Sequence, residues 1–525
     1  MATDFDAVVI GSGFGGAVSA LRLAEGGYRV VVLERGRRWQ RDNYPSVSQR
    51  DWLWNEGSPA RNNGWLDIRL HGNIGTVAGA GVGGGSLHFA NVVIDAHEDF
   101  FKAGWPPEIN FQVLAPYYQK VSDILHARRI PSNQHSNRTK LLKEAALLAG
   151  FAAQYDEVDL NIKFDDNYSY DASSVPRAED SVMTPNADGI PQGFCVHLGA
   201  CVLGCPVEAR NTLALNYIPR AEKHGAEVRP LHIVRNIESI AAGYRVHFDR
   251  IENMELKRGS VTGRIVVVSA GSIGSTELLL RCKRQHKSLP NLGKALGSRW
   301  CTNANYLSPA FHNRKVYPSR GPTISAAIRF FGDNNYKGSR IMIEDGGLPD
   351  LLMQYKENLK NPSGDALQFA AALASLYRGL SQQPFDNLMP WFAQGRDEPV
   401  GKFKVEKKFF GWFGDYVLRL SWSRSGARKV LDHIQEVHRL LAEKTGSQFI
   451  IQNKDAFITP HPLGGCPLAS NAEDGVVNHL GESFAYRNLY VADGSIMPAP
   501  VGHNPSKTIA ALSERIVESI VQEGR

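Results

Sequence analysis

The first forty residues constrain this chain more than any other stretch. Asp6-Ala-Val-Val-Ile-Gly11 is a short apolar run suited to a strand buried on both faces, and Gly11-Ser-Gly13-Phe14-Gly15-Gly16 follows it directly, ahead of the helical pattern Ala17-Val-Ser-Ala-Leu-Arg-Leu-Ala24. A second apolar run, Arg29-Val-Val-Val-Leu33, ends in Glu34. Strand, glycine turn, helix, strand and acid form the dinucleotide-binding fingerprint. Gly11 permits the tight turn, Gly13 lets a pyrophosphate approach the backbone at the helix N-terminus, and Gly16 lets helix and strand lie close. Glu34 is placed to accept hydrogen bonds from the adenosine ribose hydroxyls. The expected fold class is therefore α/β, with a Rossmann-type domain at its head.

At 525 residues the chain is too long for one ordinary core, so a second domain is expected. Its 43% apolar and 21% charged residues exclude a disordered chain or a fibre. The 59 basic residues against 53 acidic ones are scattered, and this excludes nucleic acid as partner. Met1-Ala-Thr-Asp-Phe-Asp carries no signal-peptide pattern, which predicts a cytoplasmic protein. The uncharged stretch from His71 to Asp95 is so rich in glycine that it reads as loops and turns, and no transmembrane segment is predicted. Among the six cysteines, Cys195, Cys201 and Cys205 are close in sequence but lack a CxxC pair, so they read as reduced thiols in a packed turn and no metal is expected.

The fingerprint does not separate NAD from FAD, because both carry the same ADP half. The cluster Gly79-Ala-Gly81-Val-Gly83-Gly84-Gly85-Ser86-Leu-His88 leans toward FAD, since backbone free of side chains admits a large flat ring.

Further motifs stand near the C-terminus: His461-Pro-Leu-Gly-Gly-Cys466, Asn488-Leu-Tyr-Val-Ala-Asp493-Gly494-Ser495, and Pro500-Val-Gly-His503-Asn504-Pro505. Together with the opening fingerprint, the glycine cluster at 81–86, Val266-Val-Val-Ser-Ala-Gly271 and Cys201-Val-Leu-Gly-Cys-Pro206, they resemble the glucose–methanol–choline flavoprotein oxidoreductases, in the branch that contains the cholesterol oxidases. The resemblance implies oxidation of an alcohol to a carbonyl, with hydride passing to flavin N5. His461 would be the base, and histidine suits that task at neutral pH; Asn504 would orient the hydroxyl. FAD contact is implied for Gly11, Gly13, Phe14, Gly15, Gly16, Glu34, Gly81, Gly84, Gly85, Ser86, His88, Asn91, Asp493, Gly494, Asn504 and Pro505.

Three residues keep more than one reading. Glu344, in Ile343-Glu344-Asp345-Gly346, falls where sterol oxidases of this branch place an isomerising base, or the two acids end a strand in solvent. His503, where those oxidases have an apolar residue, either shares the catalytic role or packs against the second domain. His88 stands where covalently flavinylated members attach FAD, and it forms that bond, contacts the flavin without one, or hydrogen-bonds backbone in the glycine loop.

The order of motifs predicts a discontinuous FAD-binding domain at 1–105, 196–302 and 460–525, a connecting segment at 106–195, and an inserted α+β substrate domain at 303–459. Alternation at Tyr306–Arg329 and Leu418–Ser423 predicts strands of a mixed or antiparallel sheet, covered by an amphipathic helix over Ala427–Lys444. Asp365–Tyr377 reads as a buried helix or an apolar lid, and Phe409–Phe413 as an aromatic run of the same ambiguity. The implied partners are a small-molecule alcohol, sterol-like or otherwise bulky and apolar, and O2 or another electron acceptor. A sugar or glycoside hydroxyl is the alternative, followed by flavin binding without turnover. The oligomeric state is left open.

Overall fold

The structure is a computed structural model that describes residues 3–44, 52–72, 74–349, 385–407, 416–449 and 457–524. Strand β1, Phe5–Ile10, lies between β2, Val30–Leu33, and the strand Glu255–Val268, parallel to both. The crossover helix α1, Phe14–Glu25, covers one face. Ala7–Ile10 and Val30–Leu33 are buried because both faces of the sheet are covered, and this is why they read as unbroken apolar runs rather than alternating ones. Each large aliphatic side chain so buried contributes ~1.5–3 kcal/mol against the conformational entropy of folding.

Two long returns complete this sheet. Val266–Val268 pairs in parallel with Leu489–Val491, and β2 with Glu227–Arg229, while the long strand runs on through antiparallel partners Gly243–Glu252 and His232–Ile240. The C-terminal helix Ser506–Glu523 packs on α1, and helix Phe111–Leu125 packs on it in turn. Chain ends nearly five hundred residues apart thus share one core.

The second layer is a six-stranded sheet in the order Gln448–Phe449, Tyr306–Phe311, Leu388–Gly395, Ile341–Glu344, Ala326–Phe330, Tyr155–Glu157, and every pairing is antiparallel. Helix Arg428–Lys444 covers it with Val430, Leu431, Ile434, Val437 and Leu441, at the spacing that puts side chains on one helical face. The strand expected at Leu418–Ser423 forms as Tyr416–Ser421 but lies outside this sheet. It pairs with Lys402–Lys407 as a ribbon, and that ribbon rests on helix Gly271–Arg284 of the first layer.

The glycine-rich stretch after His71 is not all loop: Ile74–Gly79 is a strand, antiparallel to Leu66–His71. It also pairs with Phe457–Thr459, and that pairing delivers the chain to His461. The segments 365–377 and 409–413 lie outside the described residues. Among the described residues, no helix is long and apolar enough to cross a membrane.

Candidate active site

One cavity of about 600 Å3 runs from the carboxyl end of β1, along the glycine turns, to His461 and Asn504 where the two layers meet. Its first half is built from backbone. A Cβ on Gly15 would stand 1.5 Å from the Ala492 carbonyl oxygen, so α1 is pressed directly onto the strand end that carries Asp493. A Cβ on Gly13 would meet nothing nearer than 3.9 Å and would project into the open cavity instead. No side chain caps α1 and no acid occupies its first turn, so its free N–H groups and dipole face the cavity ready for an anion. Helix Ser506–Glu523 is uncapped and acid-free in the same way, and Pro505 and Ser506 at its N-terminus line the other half.

Two buried carboxyls brace this half. Glu34 accepts from Ser12 N at 3.0 Å, Ser12 Oγ at 2.6 Å and Gly36 N at 3.0 Å; burial raises its pKa and these bonds oppose the rise. Asp493, raised likewise by burial, accepts from Gly271 N and Ser495 N, both at 2.8 Å, and from Ser275 Oγ. It therefore ties the last parallel strand to the start of helix Gly271–Arg284. At the cavity mouth an ion-pair cluster stands that the sequence did not announce: Arg69 with Glu277 at 2.7 Å and Asp67 at 2.9 Å, and Arg35 with Asp67 at 2.8 Å.

The second half is built from side chains. His461 Nδ1 lies 3.0 Å from the side-chain amide of Asn305, and its backbone N–H donates to Thr459 Oγ1 at 3.0 Å. Burial, with His88 and His503 nearby, pushes the His461 pKa down to about 3, so the imidazole is neutral at pH 7. His88 also lines the cavity as a neutral ring, its pKa pushed down to about 4 by burial and by Arg210.

Behind Asn504 lies Glu344, which accepts from Gln394 Nε2 at 2.9 Å. Burial above all, reinforced by the neighbouring Asp345, lifts its pKa to about 8 and leaves it protonated at neutral pH. Asp345, the first residue past that strand, has partners of its own. It accepts from Ser325 N at 2.7 Å, Ala326 N at 3.1 Å and Thr139 Oγ1 at 2.8 Å, near the buried Arg138. The reading that left both acids in solvent is therefore wrong: both are fully buried.

The structure brings Gly11, Gly13, Phe14, Gly15, Glu34, Gly84, Gly85, His88, Asp493, Gly494, Asn504, Pro505 and His461 onto the wall of the one cavity. Six residues singled out in the sequence stand off it. Gly16 packs where a Cβ would be 2.0 Å from the Gly11 carbonyl oxygen, and Gly81 packs on the Trp39 ring. Ser86 bridges Gly83 O and Leu213 N, which makes it a brace of the glycine loop. Asn91 is buried with both amide atoms unpartnered among the described residues. Glu344 sits behind Asn504. His503 packs edge-on against Phe100 at 5.3 Å, with Nδ1 3.0 Å from Asn504 O. Asn305, Thr459 and Gln394 were missed, because an isolated amide or hydroxyl carries no motif.

FAD fits these residues. A side-chain-free floor, two uncapped helix N-termini and the unpartnered Asn504 Oδ1 offer what a flat ring, a pyrophosphate and a polar ring edge require. Residues 6–40 match the family described as FAD binding domain, and residues 422–513 the one described as GMC oxidoreductase. A cholesterol oxidase of Mycobacterium tuberculosis is 30% identical, covering 98% of this chain and 91% of its own, and one of Acinetobacter baumannii is 29% identical, covering 98% and 94%. The crystal structure of pyridoxine 4-oxidase from Mesorbium loti shares the fold at 15% identity, with a TM-score of 0.62 over 98% of both chains. With an FAD cradle opening onto His461 and Asn504, and with relatives matching from end to end, the chain belongs to the GMC oxidoreductases, on their cholesterol oxidase-like branch, and is an FAD-dependent enzyme.

Proposed function

We propose that the enzyme oxidises the carbinol carbon of a bulky, apolar, sterol-like alcohol, with His461 taking the hydroxyl proton and Asn504 orienting the hydroxyl. One observation carries this reading: the glycine-floored half of the cavity is continuous with the half that holds His461 and Asn504. FAD, when bound, supplies the two-electron acceptor for the carbinol C–H. The neutral imidazole of His461 is in the protonation state a base requires at pH 7. Phe89, Val92, Leu307, Ile324, Leu348 and Phe392 line the half around it, which suits a large apolar body rather than a ring of hydroxyls. The cholesterol oxidases among the relatives support the same class. The case for a sugar rested on His503 as an extra polar group, and His503 lies behind the wall. Glu344, protonated and one layer back, is read as a partner of Asn504 rather than as a base.

The test is anaerobic mixing of the yellow holoenzyme with sterols, long-chain alcohols and sugars, while flavin absorbance is followed. Bleaching by the bulky apolar alcohols is expected. Bleaching by sugars alone would replace the substrate class, and bleaching by none would leave a flavoprotein without alcohol turnover.

A further inference from the structure

A histidine that takes a proton into the cavity needs a bare Nε2, so its single ring proton must sit on Nδ1. The hydrogen bonds around Asn305 bear on where that proton is. Thr459 Oγ1 has three polar neighbours: Thr302 O at 2.8 Å, the His461 backbone N–H at 3.0 Å, and the Asn305 amide, whose Oδ1 end stands at 2.7 Å. The other end of the same amide, Nδ2, meets His461 Nδ1 at 3.0 Å.

The hydroxyl has one proton to give. The buried Thr302 carbonyl has no other donor among the described residues, and a buried carbonyl left unpaired costs about as much as a lost hydrogen bond. The proton therefore goes to Thr302 O. The Thr459 oxygen is left with two lone pairs, and the His461 N–H fills one. Its remaining contact, Asn305, must then present NH2, with the amide turned over end for end, because amide oxygen against hydroxyl oxygen with no proton between them is repulsive. The two ends of an asparagine amide have the same shape, so its orientation follows from its partners. With NH2 toward Thr459, the amide oxygen faces His461 Nδ1 and can only accept.

The hydrogen-bond geometry points to Asn305 and Thr459 as positioning residues that hold His461 as the Nδ1–H tautomer, with the Nε2 lone pair directed into the cavity. In this arrangement the Thr459 hydroxyl, the His461 backbone N–H and the His461 Nδ1–H each have an acceptor. In the opposite amide orientation, either Thr302 O is orphaned or two oxygens collide. The inference rests on His461 being the base, and it deepens that reading by naming what makes it one. A histidine held in the wrong tautomer loses its function even in intact geometry, by up to ~10⁴-fold in the best-studied triad.

The decisive measurement is nitrogen NMR of the FAD holoenzyme labelled with 15N-histidine, the His461 signals being identified by their loss in His461→Ala. A proton on Nδ1 and a bare Nε2 are expected; a proton on Nε2 overturns the assignment. Kinetics give a second reading. Asn305→Asp can still accept from Nδ1–H, with the Thr459 proton turning from Thr302 O to the second carboxylate oxygen, so it should reduce its flavin within about tenfold of the wild-type rate, whereas Asn305→Leu should lose about 10²-fold in kcat with little change in KM. An aspartate variant that keeps its FAD but is as slow as the leucine variant also overturns the assignment. The NMR result stands whether or not any alcohol bleaches the flavin, so failure of the oxidation reading and failure of this one are separately visible.

Discussion

The two halves of the cavity do comparable work by different means. The FAD half uses backbone: glycine turns in contact, uncapped helix ends, and one helix pressed so tightly onto a strand end that Gly15 has no room for a methyl group. The half around His461 uses side chains brought from separate elements: Asn305 ahead of one strand, Glu344 at the end of another, and His461 and Asn504 on the returning chain. Main-chain cradles tolerate almost no change in size but ask little of side-chain chemistry. Side-chain clusters tolerate changes of size but fail on a single misplaced proton.

Substitution of glycines tests the first part of that contrast most severely. Gly15→Ala should abolish the yellow holoenzyme, because the clash falls on backbone and exceeds the ~1–3 kcal/mol of an ordinary overpacked site. Gly13→Ala, whose Cβ would enter open space, should keep the fold and weaken FAD binding instead. Flavin absorbance per protein, with circular dichroism as the fold control, distinguishes them, and equal behaviour of the two variants would break the distinction.

At the other half, His461→Ala should cut flavin reduction by the alcohol about 10²-fold or more while FAD stays bound. Near-normal reduction would remove His461 as the base, and loss of FAD would make it part of the cradle.

Glu344 offers a smaller effect with a defined sign. Its folded pKa, about 8, lies above the ordinary carboxyl value, so the folded state holds the proton more tightly than the unfolded chain. Stability linked to Glu344 is therefore full below about pH 4.5 and is lost as pH rises to about 8. Glu344→Gln has no such proton to lose. Denaturation from pH 5 to 9 should show the variant gaining on wild type by up to a few kcal/mol, at ~1.4 kcal/mol per pKa unit, and levelling above pH 8. A constant difference across that range would place the carboxyl in a wetter setting.

His88 carries the smallest expected effect. It stands on the wall where the two halves join, and we expect it to contact the flavin without a covalent bond. Acid precipitation should leave all flavin in the supernatant and an unmodified chain mass, and His88→Ala should change flavin reduction by less than about tenfold. A chain heavier by one flavin would instead give the backbone half a covalent anchor.

Legibility followed the same division. β1, α1, β2 and Glu34 stood in the sequence as the structure has them, because each part of that unit lies within a few residues of the next and is fixed by local geometry. Helix Arg428–Lys444 was legible from its apolar period. Of the ribbon Lys402–Lys407 with Tyr416–Ser421, only the second member was legible as a strand, and not by its place, since alternation marks a strand and not the layer it joins. His503 looked like a second active-site histidine beside Asn504. The chain bends at Gly502 and His503, so His503 and Asn504 do not share a face, and Phe100 and Phe331 receive the His503 ring.

By itself, then, the sequence determined the dinucleotide unit, the flavin-leaning glycine floor and the residue types available for alcohol chemistry, all of which are set by short-range sterics and by chemistry that travels with a residue. Tertiary structure alone decided which of those residues share a wall, that Glu344 keeps its proton behind Asn504, and that Asn305 and Thr459 meet His461. A pKa and a hydrogen bond depend on neighbours 50 to 156 residues away along the chain, and those neighbours exist only once the two sheets have closed on one cavity.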